Sequence, residues 1–217
     1  MPRGRPREFD VDRAMDRAML LFWRQGFEGT SVSALAEAMN INVPSLYAAF
    51  GNKEDLFNRV LERYLQRPAS YLPTAMKEPT ARRVAERLFQ GAIEMTMNPK
   101  HPDGCLLVHG ALVSGPVAAP VRKHLERIRA AAEQAVCNRL ELAIAQKDLP
   151  ATVNPAKLAR YLMTVVWGMS VQAAGGATRA DLEAVAEVAM QCWPAPGNGR
   201  KDHIIGRRPA AIPGPAL

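Results

Sequence analysis

Cysteine, aromatic residues and long apolar runs are all scarce in this chain, and each scarcity removes a class of function. Only three cysteines occur in 217 residues, Cys105, Cys137 and Cys192. An odd number without framework spacing argues against a disulfide scaffold and makes a reducing cytoplasm the expected compartment. Aromatics amount to 6%, too few for a base-stacking platform on single-stranded nucleic acid. The longest mostly apolar stretch, Leu162 to Val171, is about half of the ~20 residues a spanning helix needs. The first residues carry no apolar signal segment, so no membrane association is expected. A Gly-rich phosphate loop, a Gly-x-Ser-x-Gly elbow and a His-Glu-x-x-His helix are also missing. An enzyme is therefore not expected, nor a catalytic residue, cofactor or metal site.

What the chain does have is basic charge at its two ends. The formal net charge is +7. Arg3, Arg5 and Arg7 stand in the first seven residues, and beyond Ala195 the cations Arg200, Lys201, Arg207 and Arg208 outnumber one acid, Asp202. The stretch between is close to neutral. Basic arms suit the DNA backbone, although charge alone supports only a general preference for nucleic acid or a membrane surface. Apolar residues at 48% are enough for an aliphatic core.

Periodicity and punctuation divide the chain into about nine helices with no convincing strand. The first runs from an Asp10 cap to Gln25, with Val11, Met15, Ala18 and Phe22 at helical spacing and Gly26 as its stop. Ser31 caps a short helix, Val32 to Met39, and Asn40 follows where a left-handed turn residue is needed. Asn42 caps a third, Val43 to Phe50, with Pro44 in its first turn. Asn52, with Asp55 three residues on, starts a fourth. Pro68 and Pro73 mark a linker. Further helices are expected at roughly Thr80 to Met97, Gly104 to Val113, Ala118 to Gln146, Pro155 to Ala174 and Arg179 to Trp193. After Trp193, a Pro/Gly/Arg composition points to a disordered tail.

Two short helices joined by a tight turn and braced by a third form a helix-turn-helix, which projects its second helix into the major groove. The run Gln25-Gly26-Phe27-Glu28-Gly29-Thr30-Ser31-Val32, then Leu35-Ala36, then Val43-Pro44-Ser45-Leu46-Tyr47-Ala48-Ala49-Phe50-Gly51-Asn52-Lys53-Glu54-Asp55-Leu56 resembles the DNA-binding domain of the tetracycline-repressor (TetR) family over about residues 8 to 60. The resemblance implies that Tyr47 and Lys53 hold phosphates of double-stranded DNA. Thr30 and Ser31 would contact the backbone, and Val43, Pro44 and Ser45 would face base edges. The chemistry agrees, since phenol, ammonium and hydroxyl groups all donate to phosphate, and Val43 and Pro44 can pack on thymine methyls. Ala48 stands where many relatives carry a polar residue, which shifts weight towards apolar contacts and DNA shape. Arg3-Gly4-Arg5-Pro6-Arg7 looks like an AT-hook core, with Arg3 and Arg5 suited to an A·T-rich minor groove; a tail of unspecific charge is the other reading.

The resulting expectation is an all-α chain with an N-terminal three-helix helix-turn-helix domain and a C-terminal helical domain. Its parts are a basic arm at 1–9, a DNA-binding domain at 10–67, an effector-binding and dimerisation domain at 68–194 and a tail at 195–217. By resemblance, the last two long helices pair with a second copy to make a homodimer. Leu158, Leu162, Val165, Val166 and Met169 on one, and Leu182, Val185, Ala186, Ala189 and Trp193 on the other, are the candidate faces. An unknown small-molecule effector would find Phe89, Ile93, Met97, Leu106, His109, Met163 and Trp167 as candidate pocket residues, although core packing explains such residues equally. Cys105 falls at a helix N-terminus, where the dipole favours a thiolate, and some TetR-type regulators with a similar Gly-Cys-Leu segment sense electrophiles or oxidants there. A small buried hydrophobe, or a metal ligand with His101 and His109, are the alternatives. The functional expectation is a repressor on a palindromic operator, released by an effector or thiol modification; the alternative is an architectural minor-groove binder without an operator.

Overall fold

The computed structural model describes residues 9–112 and 118–194. Among them are ten α-helices and no strand: α1 Val11–Gly29, α2 Val32–Met39, α3 Val43–Phe50, α4 Lys53–Gln66, α5 Tyr71–Ala75, α6 Ala81–Thr96, α7 Leu106–Leu112, α8 Ala119–Ala145, α9 Pro155–Ala174 and α10 Arg179–Gln191. Local chemistry sets the first four. Asp10, Ser31, Asn42 and Asn52 each accept a backbone N–H three residues on, at 3.2, 3.1, 2.8 and 2.9 Å, each worth about 1 kcal/mol. Asp55 returns the bond to the Asn52 N–H at 3.0 Å, completing a capping box. Asn40 is left-handed (φ 58, ψ 47) and sends its N–H back to Ala36 and Glu37. At Gly26 (φ 70, ψ 177) the helical path of α1 is broken, and one further turn follows.

The Pro68–Pro73 stretch is not an open linker. It runs into α5, the helix by which the total exceeds the expected nine, and Pro73 sits in its first turn, where a missing N–H costs nothing. Ala69, Tyr71 and Ala75 are buried. Gly91 of α6 faces Tyr71 so closely that an added Cβ would come within 2.5 Å of its ring. Glycine here permits α5 to lie flat on α6.

One continuous core extends from α1 to α10 and runs past residues 67 and 68 without interruption. At the seam, Trp23 of α1 packs edge-on against Tyr64 of α4 at 4.8 Å and lies 5.2 Å from the His101 ring. The buried Tyr64 hydroxyl lies 3.2 Å from Met95 Sδ and 3.1 Å from Cys105 Sγ, and its proton serves one sulfur at a time. On the surface of the same seam, Arg63 reaches Asp16 at 2.6 Å and Asp12 at 2.8 Å, while Arg67 reaches Asp16 at 3.0 Å. Arg63 holds the Asp16 carboxyl below its ordinary value, against the opposing effect of burial.

Helices α9 and α10 pack on each other, and both pack on α6. Their faces divide differently from the sequence expectation. Leu162, Val166, Met169, Leu182 and Ala189 are buried within the subunit, and Leu158, Val165, Ala186 and Trp193 are partly covered by it. The apolar side chains left outside are Tyr161 (41% exposed), Val171 (44%), Val185 (42%) and Val188 (60%). Periodicity gave both faces an apolar character, and only packing distinguishes inner from outer.

Candidate nucleic-acid interface

Helix α3 is held from beneath and free above. Leu46 and Phe50 are its buried anchors, while Pro44, Tyr47 and Ala48 are exposed and Val43 and Ser45 half-exposed. Tyr47 shows 49% of its surface to solvent, so its phenol is presented outward instead of filling the core. Ser31, exposed at the start of α2, accepts the Ala34 N–H and shares a 2.9 Å hydrogen bond with Ser33.

Lys53 opens α4 with its ammonium 4.4 Å from the Phe27 ring centroid. Its pKa is lowered by burial, with the Glu28 carboxylate opposing. The ring and the acid hold a long, mobile cation in one place beside α3, which reduces the side-chain entropy lost on binding a phosphate. Neither Phe27 nor Glu28 was singled out from sequence, although both lie in the stretch that carries the family resemblance.

Thr30 departs from expectation. It is fully buried, and its hydroxyl donates to the Gly26 carbonyl at 2.7 Å. It braces the bend between α1 and α2, so a direct phosphate contact through its side chain is replaced by a structural one. Arg3 and Arg5 lie outside the described residues, as does the segment from 195 to 217.

Cys105 immediately precedes α7, and its carbonyl accepts the Val108 and His109 N–H groups. It is buried, and that burial pushes the thiol pKa up even though the Tyr64 hydroxyl, the Leu107 and Val108 N–H groups and Arg129 all favour the thiolate. Desolvation thus outweighs the expected effect of the helix end. In this conformation burial favours the thiol form of Cys105, whose sulfur accepts from the Tyr64 hydroxyl. His101 directs Nδ1 to the Met95 carbonyl at 3.1 Å, and Gly104 (φ 78) lies where a Cβ would run into the His109 ring.

The effector-pocket candidates fall in different settings. Phe89 and Ile93 line a cleft between α6 and α10. Leu106 and Met163 are completely buried, whereas Met97, His109 and Trp167 are half-buried. An arrangement that sequence reasoning missed is the clamp of Asp12 and Asp16 on α1 with Arg63 on α4 and Arg67 just past its end. The available signal was the i, i+4 spacing of both pairs, which puts two acids on one face of α1 and brings the arginine at the end of α4 to the same side as Arg63.

Comparison with known proteins accounts for this geometry. The family model for bacterial regulatory proteins of the tetR family matches residues 14–60, and the model for the tetracyclin repressor-like C-terminal domain matches residues 81–189. The HTH-type transcriptional repressor ComR of Escherichia coli K12 is 32% identical over 194 residues, which is 88% of this chain and 92% of that protein. Among solved structures, a cysteine mutant of the TetR family regulator CifR, complexed with 26-bp double-strand operator DNA, is 41% identical with a TM-score of 0.83. The match covers 88% of this chain and 100% of that one. With an exposed α3 on a capped three-helix frame and matches at both ends of the body, the chain belongs to the TetR family of transcriptional regulators.

Proposed function

We propose that the protein is a cytoplasmic repressor that binds a palindromic operator as a homodimer and leaves it when a small-molecule or thiol-reactive effector changes the spacing of its two reading heads. The observation that carries this reading is Tyr47, a half-exposed aromatic on a helix whose other large residues are buried anchors. Ser31, Tyr47 and Lys53 would hold phosphates, and Val43, Pro44 and Ser45 would meet base edges. Arg3 and Arg5 would follow the adjacent minor groove. The operator complex of the CifR mutant supports the docking mode.

A dimer is supported by the apolar groove of Tyr161, Val165, Ala184, Val185, Val188 and Ala189 on the outer side of α9 and α10. Such a patch is costly to leave in water, and a second copy of the same two helices covers it symmetrically. Two linked reading helices convert weak half-site contacts into one strong binding event. Cys105 is a candidate trigger, because any group added to its sulfur must find room beneath Tyr64 in α4.

Selection of bound duplexes from a random library, followed by titration of the winner with reduced and oxidised protein, tests the reading. A palindromic winner is expected. Release on oxidation that Cys105→Ser abolishes would assign the trigger to the thiol, and a palindrome without a redox effect would assign it to a small molecule. Recovery of asymmetric A·T-rich duplexes alone would replace the repressor with an architectural binder.

A further inference from the structure

The reading head and the body meet at a cleft of about 440 Å³, a size typical of small-molecule sites. Its floor is formed by Met19 of α1, Tyr71 of α5 and Met95 of α6, all buried, beside Gly91. Arg67, at the end of α4, and Arg87, on α6, supply guanidinium groups to the lining.

Each guanidinium is paired, but each partner acid has a second donor. Arg67 meets Asp16 at 3.0 Å, and Asp16 is also held by Arg63 at 2.6 Å. Arg87 meets Glu94 at 3.2 Å, and Glu94 also accepts from Gln90 at 2.9 Å. Either arginine can turn to an incoming anion without leaving a carboxylate bare, so the exchange is inexpensive. Asp16 and Glu94 themselves stand in the lining, so their charge must stay covered by those second donors, and Ser70, Thr74, Asn98 and His101 are the neutral polar groups beside them. The His101 ring is oriented by its bond to the Met95 carbonyl.

We propose that this seam cleft binds a small organic carboxylate, its apolar part on Met19, Tyr71 and Met95 and its charge taken by Arg87 with Arg67 as the second cation. None of the effector candidates read from the sequence lines this cleft. Its consequence rests on the repressor reading: drawing Arg67 away from Asp16 removes one of the ties between α1 and α4 that frame the reading head.

The full chain is titrated calorimetrically with phenylacetate, 3-phenylpropionate and hexanoate, each against its primary amide, which keeps the shape and removes the charge. At least one acid is expected to bind roughly tenfold or more tightly than its amide, as for a hydrogen-bonded charge. Arg87→Gln, which keeps a polar side chain at a half-buried position, should weaken that acid by about tenfold, and Thr74→Trp should block it by filling the cleft from α5. The site is overturned if no acid binds, if acids and amides bind alike, or if Arg87→Gln leaves the affinity unchanged. Operator titration is read separately. Binding of an acid without any change in operator affinity overturns the link to the reading head, whereas a chain that holds no operator even without acid overturns the repressor reading instead.

Discussion

Helices α3 and α7 are similar in length and opposite in use. α3 spends two residues, Leu46 and Phe50, on anchoring and leaves Pro44, Tyr47 and Ala48 open to solvent. The start of α7 is sealed, with Cys105, Leu106, Leu107 and Val108 all buried. The two tyrosines in the reading head repeat the contrast: Tyr47 on α3 is half-exposed, while Tyr64 on α4 is fully buried against two sulfurs. A surface that must meet a rigid polyanion is built in advance and left open. A thiol enclosed in the core reacts only when the structure opens, so its chemistry is limited by the stability of its surroundings.

The sharpest way to break the comparison is chemical labelling. Cys192 is exposed and Cys105 is buried, so a thiol reagent should modify Cys192 faster by about three orders of magnitude, set by the free energy of local opening. Peptide mapping over time checks this; equal rates would mean that the α7 segment opens freely and is not sealed. Next in size, Leu46→Ala removes a fully buried anchor of α3 and should cost about 2–5 kcal/mol, measurable by denaturant unfolding. Tyr47→Phe on the same helix should leave stability unchanged.

On the outer face of α9 and α10, Val188→Glu places a charge in the apolar groove. It should give monomers in sedimentation and lower operator affinity by roughly 100-fold through loss of linked binding. Lys53→Ala and Tyr47→Phe should each weaken DNA about five- to tenfold regardless of sequence. The lysine change should also reduce the salt slope by about one. Loss confined to one operator sequence would show that these residues read bases instead of phosphates.

The smallest effect concerns the clamp. Because the Asp16 pKa is lowered from 3.8 in the folded state, its contribution is fully present above that value and is lost as pH falls below it. Asp16→Asn should therefore cost about 1 kcal/mol at neutral pH, since the carboxylate is partly open to solvent and the more buried Arg63 keeps Asp12 as a partner. It should also flatten the loss of stability below pH 3.8. An unchanged acid limb of the unfolding curve would remove Asp16 from the clamp.

Most helix boundaries were legible because their causes are local. Asp10, Ser31, Asn42, Asn52, Asn154 and Thr178 each cap the helix that follows them, and a cap requires only a side chain and a backbone N–H three residues away. Pro68 before α5 and Pro73 within it misled for the same reason: punctuation reports what a chain can do alone, while Tyr71 and Gly91 meet only after α5 folds onto α6. The exposed positions proposed to meet DNA follow from the register of Tyr47 to Lys53, which leaves Pro44, Tyr47 and Ala48 open to solvent, whereas Thr30 has its hydroxyl turned inward by a bend at Gly26.

By itself the sequence determined the helices, the order of caps and stops, and the motif that makes this chain a DNA-binding regulator, because all of these rest on neighbours within a few residues. Only the tertiary structure decided which apolar face of α9 and α10 remains outside, that Cys105 lies buried beneath Tyr64, and that Asp16, Arg67, Arg87 and Glu94 surround one cleft. Burial and charge pairing depend on groups far apart in the chain, and no local pattern specifies which of several suitable partners will arrive.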